Sequence, residues 1–280
     1  RKGIWVINGK HTYVEGIEFS GCAIDSADGQ NGAGIRLQSN TPGYYFECRR
    51  CYFHDNQEGI LTGNDTTAEV VIEACEFDHN GVETGANAGF QHNIYIGHSR
   101  SARVSFCYFH RSIIGHELKC RANRSYILYN HIVDENGDGS LSIDLPNGGL
   151  AFVIGNSIEK GPNTENSTIL GYGEEGIINR DSEYYFVNNT VVSDRVPTTF
   201  INLRVGARDR DCRPLLARRG ARGSRRRHHR GARGHQAARP EGDGPPRSRL
   251  AMRRFTAQRH PPVSRRRAHG IRSRLVGVLL

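Results

Sequence analysis

The chain has 280 residues, enough for one large domain or two small ones, and a formal net charge of +9. The charge is unevenly placed. Residues 204–280 carry 23 arginines, no lysine and four acids, a charge of +19, whereas residues 1–203 carry 15 basic and 25 acidic residues, a charge of −10. An acidic body argues against nucleic acid as its partner, and no apolar run is long enough for a transmembrane helix.

In chain order, the body is strand-like from Ile4-Trp5-Val6-Ile7 onward, without an initiator Met or a signal peptide ahead of it. The stretch 1–203 is therefore expected to be incomplete at both ends, with any export signal upstream. Seven segments then align: VEGIEFSG (14–21), CRRCYFHD (48–55), IEACEFDH (72–79), VSFCYFHR (104–111), ILYNHIVD (127–134), VIGNSIEK (153–160) and FVNNTVVS (186–193). One column reads Ile17, Cys51, Cys75, Cys107, Asn130, Asn156, Asn189. Two places on it reads Phe19, Phe53, Phe77, Phe109, Ile132, Ile158, Val191. Each segment alternates as a strand does. A second strand follows each first: GIRLQSN (34–40), GILTGN (59–64), NIYIGH (93–98), ELKCRAN (117–123), LSIDLPN (141–147), TILGYG (168–173) and FINLR (200–204).

Units of about 25 residues, with strands, Gly/Asn/Asp turns and no helical stripe, predict a solenoid whose coils stack strand on strand. The expected fold is all-β: a right-handed parallel β-helix of about seven coils over 1–203, with longer loops at 20–33, 82–92 and 161–167. Cys51, Cys75, Cys107 and Cys120 are expected to point inward as free thiols. Asn130, Asn156 and Asn189 are expected to form a buried amide ladder, because buried amides need partners.

Residues 204–280 lack Asn, Tyr, Trp and hydrophobic periodicity, so they are expected to be an unstructured basic tail. Two origins compete: a disordered arm for polyanions, or an out-of-frame reading of a GC-rich gene. The abrupt change near Arg204, in mid-repeat, favours the second and makes the tail non-native.

The "CxF", "NxI" and "NxV" columns resemble the repeats of the right-handed β-helix proteins of the pectate-lyase-like superfamily, across 14–203. The resemblance implies the fold; many chemistries share that scaffold.

Alternation puts Ile35, Ile60, Ile94, Leu118 and Ile169 in the core of the second sheet. Three columns are expected to face outward. They read Gly34, Gly59, Asn93, Glu117, Ser140, Thr168; then Arg36, Leu61, Tyr95, Lys119, Ser142, Leu170; then Gln38, Gly63, Gly97, Arg121, Asp144, Tyr172, Arg204. Adjacent coils lie about 4.8 Å apart, so Glu117, Lys119 and Arg121 would share a face with Tyr95, Asp144, Asn147, Tyr172 and Glu174-Glu175, flanked by His92, His98 and His116.

That mixture suits β-elimination on a uronate polymer, which needs a cation or metal for the carboxylate, a base for the α-proton and an acid for the leaving oxygen. Lys119 or Arg121 supplies the clamp or the base, and Tyr95, Tyr172 or His116 handles the second proton. Asn93, His92, Asp144, Asn147, Tyr172 and Glu174 are candidate substrate contacts. Glu117, Asp144 and Asn93 offer oxygens to a Ca²⁺ ion. The run LKCRANRSYILYN with SLSIDLPNGG is similar to the active-site coils of the chondroitinase-B and alginate-lyase group. That similarity implies a lysine at Lys119 or Arg121 and a metal ligand at Glu117, though Asp144 stands where the group has an arginine.

The favoured expectation is a secreted or periplasmic lyase acting on an acidic polysaccharide. Two alternatives stand beside it. One is a non-catalytic polysaccharide-binding or adhesin β-helix. The other is a glycoside hydrolase using Asp144 with Glu174 or Glu175.

Overall fold

Alternating apolar residues and turn residues at short intervals build coils of three strands each. The computed structural model describes residues 2–38 and 42–204, and the backbone of Leu275–Val278. Sheet 1 stacks Gly3–Ile7, Ala33–Leu37, Glu58–Thr62, Ile94–Ile96, Leu118–Cys120, Ile143–Leu145, Thr168–Tyr172 and Thr199–Leu203, every neighbouring pair parallel. Sheet 2 runs in the same way from His11–Glu15 to Glu183–Val187, and sheet 3 from Glu18–Ser20 to Thr190–Ser193. The chain visits sheets 1, 2 and 3 in turn and climbs one coil per circuit. This is the expected right-handed parallel β-helix, with the hand that parallel crossovers adopt.

The core repeats a few contacts. Phe19, Phe53, Phe77 and Phe109 stack at 5.0, 4.9 and 4.8 Å between ring centres, with planes within 8° of parallel. Ile132, Ile158 and Val191 continue the column in register, as read from the sequence. Burying each such side chain contributes about 1.5–3 kcal/mol. The six cysteines among the described residues are free, and all but Cys22 are buried. The Sγ atoms of Cys48 and Cys75 lie 3.9 Å apart.

The turn from sheet 2 to sheet 3 is one residue in the left-handed region: Gly16, Arg50, Ala74, Phe106, Tyr129, Gly155 or Asn188, with φ between 49° and 71°. This sharp corner costs non-glycine residues about 1–2 kcal/mol. The residue just after it offsets that cost by bonding along the stack. The backbone amides of Cys107, Asn130 and Asn156 each donate to the side-chain Oδ1 one coil on, at 2.9 Å, so Asn130, Asn156 and Asn189 form the expected ladder.

The tail expectation falls on residues that lie outside the described set, except for Leu275–Val278. Those four residues pair antiparallel with Thr190–Ser193.

Candidate functional site

The sheet 1 register corrects the expected columns. Arg36, Leu61, Tyr95, Lys119, Asp144, Gly171 and Asn202 are consecutive lateral partners. Asp144, not Ser142, is therefore beside Lys119. Gly171, not Leu170, follows it, and Leu170 packs in the core together with Ile169. Tyr172 moves inward by the same one-residue change of phase. It is buried in the core and donates its hydroxyl to the carbonyl of Gly149 at 2.7 Å. Its placement on the outer face is corrected.

Asn93 and Glu117 also leave the expected face. Both are fully buried, in the column of Gly34 and Gly59, where an added Cβ would strike the stacked phenylalanines. They complete a second ladder at the turn from sheet 3 to sheet 1. Asn56 accepts from the amide of Cys22 at 3.0 Å, Asn80 from that of Asn56 at 3.0 Å, and Asn93 from that of Asn80 at 3.2 Å. Asn93 Nδ2 then donates to Glu117 Oε2, and the Ser112 amide to Glu117 Oε1. Burial, with Asp134 nearby, raises the Glu117 carboxyl to about 8. The sequence carried a signal for this ladder. FHDN (53–56) and FDHN (77–80) place Asn three residues after the stacked Phe, and FHRS (109–112) puts Ser112 there, leaving its amide to Glu117.

On the outer face, Lys119 and Arg121 converge on one carboxylate. Lys119 Nζ lies 2.9 Å from Glu175 Oε1 and 3.0 Å from Asp144 Oδ2. Arg121 Nη1 lies 2.6 Å from Glu175 Oε2 and also donates to Asn147 Oδ1 at 2.6 Å, while its Nε donates to the Tyr95 hydroxyl at 2.7 Å. The Tyr95 ring lies beneath both cations, 5.9 Å from Lys119 Nζ and 5.5 Å from the Arg121 guanidinium carbon. Strand alternation aims Lys119 and Arg121 the same way, and the turn that carries Glu175 follows the strand two coils on. The sequence puts Glu174 and Glu175 together on this face and names Glu174 as the sugar contact; the structure places Glu175 between the two cations.

Charge balance follows from these contacts. Burial lowers the Lys119 ammonium, but Asp144 and Glu175 more than offset it, so its pKa is raised. Lys119 is thus held as a protonated ammonium. Arg121 behaves alike: burial lowers it, and Glu175 and Tyr95 raise it further. Burial pushes Glu175 up, yet Arg121 and Lys119 pull it down to about 2. Asp144 is held at about 6, since burial outweighs its bond to Lys119.

His92 and His116 stand beside this cluster as a stacked pair, 4.6 Å between ring centres and 5° between planes. His92 Nδ1 accepts the His116 amide at 3.0 Å, and His116 Nδ1 accepts the Leu141 amide at 3.1 Å. An Nδ1 that accepts leaves the proton on Nε2, and His116 Nε2 lies 3.3 Å from Asp144 Oδ2. Burial, then Lys119, lowers His116 to about 3; burial and His116 hold His92 well below its usual range. Both rings are held neutral, and both nitrogens of His116 have a protein atom within 3.3 Å.

Glu174 is tied through Oε1 to Asn202 Nδ2 at 2.6 Å. A Cβ at Gly171 would lie 2.8 Å from Glu174 Oε2 and 3.5 Å from Asp144 Oδ1. The missing side chain therefore lets the Glu174 carboxylate pack close over this strand, and the buried Asp144 Oδ1 has no protein donor. Glu117 and Asp144 do not fit one calcium ion: Glu117 is spent in the interior ladder, and a lysine ammonium occupies Asp144 Oδ2. Among the described residues, no group of three or more His, Cys, Asp or Glu is arranged to hold a metal.

Fold and site together define a parallel β-helix protein with a paired-cation cradle on the outer face of one sheet. No family model, no curated protein and no solved structure matches the chain. Among the described residues, no helix is long and apolar enough to cross a membrane.

Proposed function

We propose that the protein is a polysaccharide lyase that binds a uronate polymer along the outer face of sheet 1 and cleaves it by β-elimination. The observation that supports this most is the carboxylate already held between Lys119 and Arg121, at 2.9 and 2.6 Å. A pair of cations that binds one carboxylate in a largely buried setting can bind a uronate carboxylate there. Neutralising that group acidifies the α-proton. Tyr95, bonded to Arg121, is the proton-transfer group nearest the cradle. The α-proton leaves to a base, the electron pair forms the C=C bond, and the C–O bond to the leaving glycosidic oxygen breaks as that oxygen gains a proton. Asn147, Asp144 and Glu174 hold the sugar. A polymeric substrate implies export, to the periplasm or beyond.

An ultraviolet absorbance screen against alginate, pectate and chondroitin tests the reading, because elimination creates a conjugated uronate. The expected result is a rise on one polymer that is lost in Lys119→Ala and Arg121→Ala. A folded protein with no rise on any polyuronide would remove the lyase reading.

One observation favours a second reading, glycoside hydrolysis. Asp144, at about 6, and Glu175, at about 2, both bond Lys119 Nζ, so their nearer oxygens lie within about 6 Å, near the spacing of a retaining pair. New reducing ends without absorbance would select it.

A further inference from the structure

The carboxylate in the cradle belongs to the protein, and its place in the fold differs from that of its neighbours. Asp144 sits on a strand, with a side chain 3% exposed, whereas the Glu175 side chain is 46% exposed although both its oxygens are bound. Glu175 lies in a tight turn closed by the Gly176 amide on the Gly173 carbonyl at 3.0 Å, with both glycines at positive φ. The turn is pinned to the barrel. The Glu175 amide donates to the Pro146 carbonyl at 3.0 Å, and Asn179 Nδ2 reaches the carbonyls of Arg121, Ala122 and Gly148. The backbone of this turn is anchored, while the side chain is half exposed and held only through its two carboxylate oxygens. Such a side chain leaves by rotation, without loop movement.

We propose that Glu175 is the specificity-determining residue of this face: its carboxylate stands in for the substrate's and yields the Lys119–Arg121 cradle only to a ligand that brings a carboxylate of its own. This rests on the reading of the face as a uronate site. A neutral or methyl-esterified sugar that displaced Glu175 would leave two half-desolvated cations without their counter-ion, which is costly. An incoming carboxylate restores both ion pairs and frees Glu175 to water. The exchange lowers apparent affinity by the strength of the resident contact, and in return excludes neutral chains.

The test is calorimetric titration of the full chain with trigalacturonate, trimannuronate and triguluronate, and with the methyl ester of the tightest binder. Glu175→Gln, Arg121→Ala and Glu183→Gln are compared with the parent chain. Glu183, whose contact is the Tyr185 hydroxyl on sheet 2, reports the effect of losing a glutamate charge elsewhere. Glu175→Gln is expected to bind the acid about tenfold more tightly, equal to about 1.4 kcal/mol, and to strengthen the ester by the same factor, so that a neutral chain the parent excludes becomes measurable. Glu183→Gln should bind as the parent does, and Arg121→Ala should lose binding. Unchanged or weaker binding in Glu175→Gln, with Arg121→Ala still defective, would overturn this inference and leave the uronate site standing. Failure of every protein, including Glu175→Gln, to bind any of the three acids would remove the uronate site itself.

Discussion

Arg111 on sheet 3 grips Asp78 as firmly as Arg121 on sheet 1 grips Glu175, yet the two contacts have different prospects. Arg111 forks onto Asp78, Nε at 2.8 Å and Nη2 at 2.5 Å, and Asp78 also takes the Tyr52 hydroxyl at 3.2 Å. That carboxylate is 8% exposed and fixed on a strand, so no incoming anion can replace it. Glu175 is half exposed and reaches its cations from a turn. A charge cluster becomes a candidate site when its counter-ion can leave. The histidines divide along the same line. His54 on sheet 3 loses some affinity for its proton by burial, but Asp55 and Glu18, at 2.6 and 2.9 Å, raise it overall. His92 and His116 beside sheet 1 are driven neutral.

The sharpest way to break this comparison is to delete one arginine from each face. Arg121→Ala and Lys119→Ala should each lower kcat/KM at least about 100-fold, the usual loss for a preorganised charge contact, and Arg121→Ala should leave the melting temperature unchanged within a few degrees, because half-exposed Glu175 can turn to water. Arg111→Ala should do the reverse. Turnover should be retained, while denaturant titration shows a loss of about 1–3 kcal/mol, because Asp78 is left buried without its main partner. Equal effects of the two substitutions on activity would end the distinction between the faces.

Acidity should separate the faces next. The folded pKa values of His92 and His116 lie below the unfolded value of about 6.5, so their contribution is complete above that pH and is lost as pH falls toward 3. His54 has the opposite sign: its contribution is present below about 6.5 and is lost as pH rises through its elevated folded pKa. Denaturation midpoints measured from pH 4 to 8 should therefore fall on the acid side, and His116→Gln should flatten that fall. His54→Gln should leave the acid side unchanged and remove part of the decline on the alkaline side.

The smallest expected effect is at Gly171. An added Cβ meets the flexible end of Glu174, which can swing aside, so Gly171→Ala should fold normally. It should raise KM a few-fold by pushing the Glu174 carboxylate off its place. A large stability loss instead would show that the close contact serves packing rather than ligand.

Much of this architecture is legible in the chain. Residues such as Phe53, Phe77 and Phe109 recur at the same point of each coil, and a two-residue period within a strand assigns inside and outside without reference to anything distant. The short sheet 2 to sheet 3 turn keeps one length in every coil, so the Phe and Asn columns align by eye. The loops before sheet 1 vary in length. Tyr172 is therefore expected on the wrong side, because a one-residue shift in phase reverses every side chain, whereas Asn93 and Glu117 stand just before their strands, at a corner where alternation does not apply. Lys119, Arg121 and Tyr95 come out together because Lys119 and Tyr95 lie on regular strands and Arg121 directly follows one.

The sequence by itself determined the solenoid, its stacked core and the two cations at the end of one strand, since these depend on local alternation and on repeats of constant spacing. Only the tertiary structure decided what those cations hold. Glu174 and Glu175 are adjacent in a glycine-bounded turn, where no period says which side chain points inward. The choice is made by long-range bonds to Pro146, Asn202, Arg121 and Lys119, from coils up to 56 residues away in the chain.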